Sequence, residues 1–109
     1  MKDWTVYISD IKFCIDRILE YTFDVTYEEF NKDYKTYDAV LRNLEVIGEA
    51  VKNIPDDVKA KNSNIEWKKI AGLRDVVIHD YSRVNEEIIW DVIQNKIPDL
   101  KDKLSKLKY

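Results

Sequence analysis

The spacing of apolar residues constrains this chain most strongly, because it follows steps of three and four over most of its length. The clearest repeat lies near the amino terminus and consists of Trp4, Ile8, Ile11, Ile15, Ile18 and Thr22. This pattern predicts an amphipathic helix over residues 3–21, whose apolar face must pack against other helices. Only 2 glycines and 2 prolines leave few positions for strand turns, so the sequence predicts an all-α fold.

The middle of the chain carries two further helical patterns. Thr26 and Glu29 have the spacing of a capping box, which predicts a short second helix. Apolar residues again recur at helical spacing over residues 35–53, which predicts a second long helix. Gly48 lies inside that helix, where glycine costs about 1 kcal/mol relative to alanine. We therefore expect Gly48 to permit the close approach of a neighbouring helix.

The second half of the chain is also predicted to be helical. Pro55 and the two acids that follow it can start one further turn. Helical spacing predicts a helix over residues 65–79, and Asn85 is a suitable N-cap for a last long helix. Pro98 is expected to bend or restart that helix. We expect one domain over residues 1–109, closed by an amphipathic tail that covers the core or a dimer partner.

The charge balance bears on a nucleic-acid partner. Acidic residues outnumber basic residues by 21 to 18, which gives a formal net charge of −3. The field of the whole protein would mildly repel RNA, so an RNA partner would need a local basic patch. The candidates for that patch are Lys68, Lys69, Arg42 and Arg83.

Cys14 is the only cysteine, so the chain has neither an internal disulfide nor a cysteine-based zinc site. We expect this thiol to pack in the core of a protein from a reducing cytosol. Charged residues throughout the first twenty positions argue against a signal peptide or a membrane span. The expected location is the cytoplasm, without a membrane partner. We expect Trp4, Trp67 and Trp90 to pack in the core or a dimer interface rather than to stack on bases.

Arg74 and His79 are the residues best suited to chemistry, and both lie near the end of a predicted helix. His79 is the only histidine, and its pKa near neutrality suits proton transfer. A guanidinium such as that of Arg74 matches the shape of phosphate oxygens. Five residues along a regular helix rotate the side chains by about 140°. The two side chains therefore diverge unless the helix loosens before His79 or a second chain completes the site.

The residues around this pair carry a family resemblance. Arg74, His79 and Tyr81 lie in the run LRDVVIHDY, and residues 44–50 read LEVIGEA in the second long helix. The chain resembles the HEPN superfamily, and specifically the HepT toxins, whose mark is Arg, four residues, His, one residue and Tyr. The likeness covers nearly the whole chain. It implies an up-and-down bundle of four to five helices with short extra helices, arranged as a two-fold dimer.

The resemblance also implies an activity. HepT toxins act in toxin–antitoxin systems as metal-independent endoribonucleases, and the implied substrate here is tRNA or mRNA, with no metal or cofactor. In this interpretation His79 is the general base or acid and Arg74 holds the scissile phosphate. Asp75 and Tyr81 support or position them. The implied site is composite, because paired motifs face each other across a homodimer, from which higher oligomers can assemble.

The resemblance gives Tyr81 a second role. The partner of HepT toxins is MntA, a small nucleotidyltransferase that silences the toxin by attaching AMP groups to the motif tyrosine. An AMP group on Tyr81 would put bulk and negative charge where an RNA phosphate must lie. The resemblance therefore implies an MntA-like antitoxin as the partner of this chain.

One residue departs from the family pattern and keeps two alternatives open. Members often have Asn after the motif arginine, whereas this chain has Asp75, an acid that can pair with Arg74. The first alternative is a non-catalytic HEPN module that binds a nucleotide or RNA without cutting it. The second is a plain helical interaction protein in which Arg74 pairs with Asp75 or Asp80 and His79 caps a helix.

Overall fold

The computed structural model describes residues 3–79 and 85–109. Over this part the regular structure is all helical, with eight α-helices and one π-helical turn. In chain order the elements are α1 (Thr5–Tyr21), α2 (Tyr27–Lys32), α3 (Tyr34–Val51), α4 (Asp56–Lys61), α5 (Trp67–Ala71), α6 (Leu73–His79), α7 (Glu86–Asp91), the π-helical turn (Val92–Lys96) and α8 (Ile97–Ser105). The all-α prediction is confirmed, and no strand occurs in the described ranges.

Helix α3 is the centre of the bundle, because α1, α2, α5 and α6 all pack against it. Its apolar face supplies the core residues Tyr37, Val40, Leu41, Leu44, Ile47 and Val51, and α1 contributes Ile8, Ile11, Ile15 and Ile18. These are the residues that the three-and-four spacing placed on the inner faces of the two long helices. Helix α8 packs on α1 and closes the core with Leu100 and Leu104.

The helix starts follow the local signals in the sequence. The Thr26 hydroxyl accepts a hydrogen bond from the Glu29 N–H, and the Glu29 carboxylate accepts one from the Thr26 N–H, so the predicted capping box is present. Pro55 stands just before α4, whose first turn carries two acids. Asn85 occupies the N-cap position of α7, and its carbonyl accepts hydrogen bonds from Ile88 and Ile89.

One helix prediction needs correction, and the prediction for Pro98 holds. The helix predicted over residues 65–79 is two helices, because α5 ends at Ala71, with Gly72 as its C-cap, and α6 begins at Leu73. The restart predicted at Pro98 is confirmed, because a new helix, α8, begins at Ile97. Pro98 lies in the first turn of α8, directly after the π-helical turn. Proline is tolerated at this position because the first N–H groups of a helix have no acceptor within it.

The cysteine and the tryptophans pack as expected. Cys14 is buried in α1, and burial raises the pKa of its thiol. Trp67 is in the core, and Trp90 packs against the core with its ring centroid 5.4 Å from that of Phe30. Trp4 also packs against the core, 5.3 Å from the Tyr109 ring. No helix within the described ranges combines the length and apolar character that crossing a membrane requires.

Asn62 joins the loop after α4 to the end of the chain, and we call this arrangement the Asn62 latch. Its amide nitrogen donates to the carbonyls of Val58 at 2.9 Å and Lys108 at 2.7 Å. Its amide oxygen accepts from the Lys108 N–H at 2.7 Å, and its backbone carbonyl accepts from the Trp67 indole at 3.1 Å. The side chain is buried, so these bonds satisfy polar groups that water cannot reach.

Candidate active site

Arg74 is the second residue of α6, and its backbone packs closely against α3 at Gly48. A Cβ atom added to Gly48 would lie 3.1 Å from the Arg74 backbone nitrogen and 3.2 Å from the Ala71 carbonyl oxygen. The predicted close approach at Gly48 is therefore confirmed, and the neighbouring segment is the one that carries Arg74. A larger residue at position 48 would push the first turn of α6 away from α3.

Glu49, the next residue on α3, is the ion-pair partner of Arg74. The Arg74 Nε lies 3.1 Å from the Glu49 Oε1, and the two side chains are 44% and 48% exposed. The same Oε1 lies 3.4 Å from the Lys52 ammonium. The Glu49 carboxylate is thus shared between Arg74 and Lys52, and the side chains of Arg74 and Glu49 are each about half exposed to solvent.

Glu49 was not among the residues predicted from the sequence, which pointed to Asp75 or Asp80 as the acid beside Arg74. The structure places the Glu49 carboxylate, which approaches from α3, beside Arg74. Asp75 lies on α6 with its side chain exposed. Asp80 lies outside the described residues. A signal for Glu49 was present in the sequence, because it directly follows the glycine that predicted a close helix contact.

His79 is the last residue of α6, the helix that also carries Arg74. Helix α6 is regular from Leu73 to His79, so the helix does not loosen between the two motif residues. The backbone directions at positions 74 and 79 therefore differ by about 140°. The His79 side chain lies outside the described part of the structure, as does the whole of Tyr81.

The candidate basic residues are divided between two helices. Lys68 and Lys69 are exposed on α5, the helix that leads into α6. The Lys69 ammonium lies 2.7 Å from a Glu66 oxygen, and this hydrogen bond raises the pKa of Lys69. Arg42 is exposed on α3, seven residues and about 10 Å of helix away from Glu49. Arg83 lies outside the described residues.

Two exposed apolar side chains lie near Arg74 on the helices that form the site. Ile78 follows Arg74 by four residues on α6 and is 43% exposed. Val46 precedes Glu49 by three residues on α3 and is 36% exposed. Residues spaced by three or four share one face of a helix. The ion pair is therefore flanked on both of its helices by apolar surface.

These features define a class of protein: a small all-helical domain whose Arg-x4-His segment forms one helix packed on a long central helix. A sequence profile of the ribonuclease HepT-like family matches residues 11–107. The chain belongs to the HepT-like ribonuclease family.

The relatives span most of this chain and most of their own length. A Methanocaldococcus jannaschii protein named as a candidate RNase is 49% identical over 93% of this chain and 84% of its own. A candidate ribonuclease HepT of Thermococcus cleftensis is 43% identical over 94% and 93%. The mRNA nuclease HepT of Shewanella oneidensis is 27% identical over 93% and 92%. The comparison with solved structures gave no significant match.

Proposed function

We propose that this chain is an endoribonuclease toxin that cuts tRNA or mRNA in the cytoplasm without a metal ion. The observation that carries the proposal is the placement of Arg74, which is half exposed and lies in the first turn of the helix that ends at His79. Family membership supports the same activity. The proposal takes residues 1–109 as one HEPN domain.

The proposed reaction is attack of the RNA 2′-hydroxyl on the adjacent phosphate. A base must take the hydroxyl proton, an acid must protonate the leaving oxygen, and positive charge must stabilise the phosphorane. We assign one proton-transfer role to His79 and the phosphate to Arg74, whose guanidinium can bond two oxygens at once. Asp75 and Tyr81 are proposed to support them.

The regular α6 helix favours a site shared between two chains. Since the backbone directions at Arg74 and His79 differ by about 140°, one α6 cannot direct both side chains at one phosphate. In a two-fold dimer, Arg74 of one protomer can meet His79 of its partner. The exposed side chains of Ile78 and Val46 would supply apolar contacts at such an interface. We propose a homodimer with composite sites, from which higher oligomers can assemble.

The test is cleavage of labelled tRNA and mRNA in EDTA by the purified, unmodified protein, with Arg74→Ala and His79→Ala prepared in parallel. We expect each variant to lose about a thousandfold in cleavage rate. Mixing the two variants after partial unfolding and refolding should restore about a quarter of the wild-type rate, because half of the dimers are mixed and each has one intact site. Loss without restoration would place each site within one chain, and no cutting by the wild type would refute the ribonuclease.

We propose further that an MntA-like nucleotidyltransferase silences the toxin by AMPylation of Tyr81. The modification would add bulk and negative charge beside the phosphate position. Co-expression with the cognate nucleotidyltransferase should add AMP-sized mass to this chain, and Tyr81→Phe should abolish the addition. An unchanged mass in a pairing that neutralises the toxin would contradict this part of the proposal.

A non-catalytic RNA-binding module is the second candidate function. It is favoured by the contact between Arg74 and Glu49, because a carboxylate on the guanidinium reduces the positive charge that a transition state would meet. RNA binding by the wild type without cleavage, together with loss of binding in Arg74→Ala, would select this alternative.

A further inference from the structure

We propose that Glu49 is a positioning residue that fixes the guanidinium of Arg74 for an RNA phosphate. The inference rests on the proposed function, in which Arg74 holds the phosphate. It extends the site from α6 to α3 and assigns a role to a residue outside the Arg-x4-His-x-Tyr motif.

The contact uses the nitrogen of Arg74 that a phosphate needs least. A guanidinium presents five N–H groups in one plane, one on Nε and four on the two terminal nitrogens. Glu49 accepts at Nε, with 3.1 Å between Nε and Oε1. This contact does not use the fork between the terminal nitrogens, which can bond two phosphate oxygens side by side. Holding Nε also fixes the plane in which that fork lies.

The backbone beneath the pair sets its geometry. Gly48 lets the backbone nitrogen of Arg74 approach α3 so closely that a Cβ at position 48 would lie 3.1 Å from it. Glu49 is the next residue, so its carboxylate starts one position from the point of closest approach. We call the contact between α3 and α6 at Gly48, Glu49 and Arg74 the seam. The close backbone approach in the seam determines where the guanidinium lies, and Glu49 determines its orientation.

Glu49 does not by itself neutralise the two cations that it contacts. Glu49 Oε1 lies 3.1 Å from Arg74 and 3.4 Å from Lys52. One carboxylate shared by two cations leaves a net positive charge on the group of three residues. Both members of the pair are about half exposed, so water screens the attraction between them. Glu49 can therefore orient Arg74 without cancelling its charge toward RNA.

The first experiment measures the pair directly and does not depend on activity. In ¹⁵N-labelled protein, the Nε–H signal of Arg74 is identified by its loss in Arg74→Lys. We expect slow exchange of this proton with water in the wild type, faster exchange in Glu49→Ala and an intermediate rate in Glu49→Gln, whose amide oxygen can accept the same bond. An unchanged exchange rate in Glu49→Ala would overturn the proposal.

The second experiment is a double-mutant cycle on RNA cleavage. We expect Glu49→Ala to lower kcat/KM by at least about tenfold, mainly through kcat, because a misaligned guanidinium still attracts RNA by its charge. Glu49→Gln should recover part of this loss. The effect should vanish in the Arg74→Ala background, because Glu49 acts through Arg74. An equal loss in both backgrounds, or faster cutting by Glu49→Ala, would overturn the proposal.

Asp16→Ala is the matched control, because it also removes an exposed acid from an ion pair between two helices. The Asp16 Oδ1 on α1 lies 2.9 Å from the Lys101 Nζ on α8. Asp16→Ala should leave cleavage unchanged. If the wild type cuts no RNA, the proposed function fails, and binding of a 2′-O-methyl RNA then tests Glu49 separately. In that case weaker binding by Glu49→Ala, with the Arg74 proton exchanging faster, supports the positioning role. Unchanged or tighter binding contradicts it.

Discussion

The seam between α3 and α6 and the Asn62 latch both use polar groups to join distant parts of the chain, but they differ in burial. The latch is buried, with Asn62 only 4% exposed and both ends of its amide hydrogen-bonded. In the seam, Arg74 and Glu49 are 44% and 48% exposed. Buried polar groups are costly to leave unpaired, whereas exposed ion pairs contribute little to stability. The latch is therefore suited to holding the fold, whereas Arg74 in the seam can bind a ligand through its terminal nitrogens while Glu49 stays at Nε.

Among the substitutions that test this comparison, the largest effect should come from Arg74→Lys, which keeps the charge and removes the planar fork. We expect cleavage to fall by about a hundredfold, because an ammonium cannot bond two phosphate oxygens in the same plane. The midpoint of urea unfolding should stay close to that of the wild type, because Arg74 is half exposed. Arg17→Lys on α1 is the matched control for the substitution and should leave the cleavage rate unchanged. A large loss of stability in Arg74→Lys would show that the seam, like the latch, stabilises the fold.

The next effect should come from Asn62→Ala, which breaks the latch. Removing the amide leaves the Lys108 N–H and carbonyl without their partner, and we expect the free energy of unfolding to fall by about 2–3 kcal/mol. Urea unfolding measures the loss. Asn53→Ala removes an exposed amide bound to a backbone carbonyl and should change stability by less than about 0.5 kcal/mol. RNA cleavage at low temperature should be unchanged in Asn62→Ala, and a loss there would show that latch and site are coupled.

Gly48→Ala should combine a smaller loss of stability with a change in activity. The added methyl group would meet backbone atoms of the segment that joins α5 to α6, and these cannot rotate away as a side chain does. We expect about 1 kcal/mol of destabilisation despite the better helix propensity of alanine. The rate of RNA cleavage should fall by more than the loss of folded protein accounts for, because the displaced turn carries Arg74. Urea unfolding and RNA cleavage of the same preparation measure the two effects.

Gly72→Ala is the control for that substitution. Its φ of −69° is ordinary for an α-helix, and an added Cβ would meet only the end of its own helix, with the Lys69 carbonyl oxygen at 3.3 Å. Its stability should match or exceed that of the wild type. If Gly48→Ala and Gly72→Ala lost equal stability, the loss in Gly48→Ala would not come from the contact between α3 and α6.

The smallest effect should come from Glu29→Gln in the capping box, which is exposed and remote from the latch. Hydrogen bonds from Thr26 hold the pKa of Glu29 below its ordinary value of 4.5. A carboxyl whose pKa is lower in the folded state stabilises the protein above its unfolded pKa and loses that contribution as the pH falls through the folded value. The melting temperature of Glu29→Gln should therefore lie slightly below that of the wild type at neutral pH. The two should converge below pH 4.5, and a difference that stays constant with pH would show that the charge of Glu29 is not its cause.

Much of the fold could be predicted from local patterns in the sequence. Thr26 and Glu29 predicted the capping box, because that interaction depends on residues three apart. The long helices α1 and α3 followed from apolar spacing, because burial on one face is the same constraint that spaces the residues. The break at Gly72 was missed, since the apolar repeat continues across it and a glycine in helical conformation gives no separate signal.

Only part of the candidate site could be predicted from the sequence, because local patterns do not show contacts between distant helices. Arg74 and His79 were found from residue types and a sequence motif within one helix. The partner of Arg74 was not, because Glu49 reaches it from α3 across a contact between residues 25 positions apart. Gly48 predicted that some helix approaches closely, but packing alone decides which one. The roles of Arg74, His79, Asp75, Tyr81 and the basic residues stay predictions.

The π-helical turn of Val92–Lys96 has a consequence for the length of the chain. Ile89, Ile93, Ile97, Leu100 and Leu104 are buried along this last helix at steps of four, four, three and four, and Val92 is buried beside Ile93. Deleting one of residues 94–96 would shorten the second step to three, and the apolar residues before and after the turn would still face the core at α-helical spacing. A deletion elsewhere in a long helix rotates everything beyond it by about 100°. Homologous chains can therefore differ by one residue here while the same side chains fill the core.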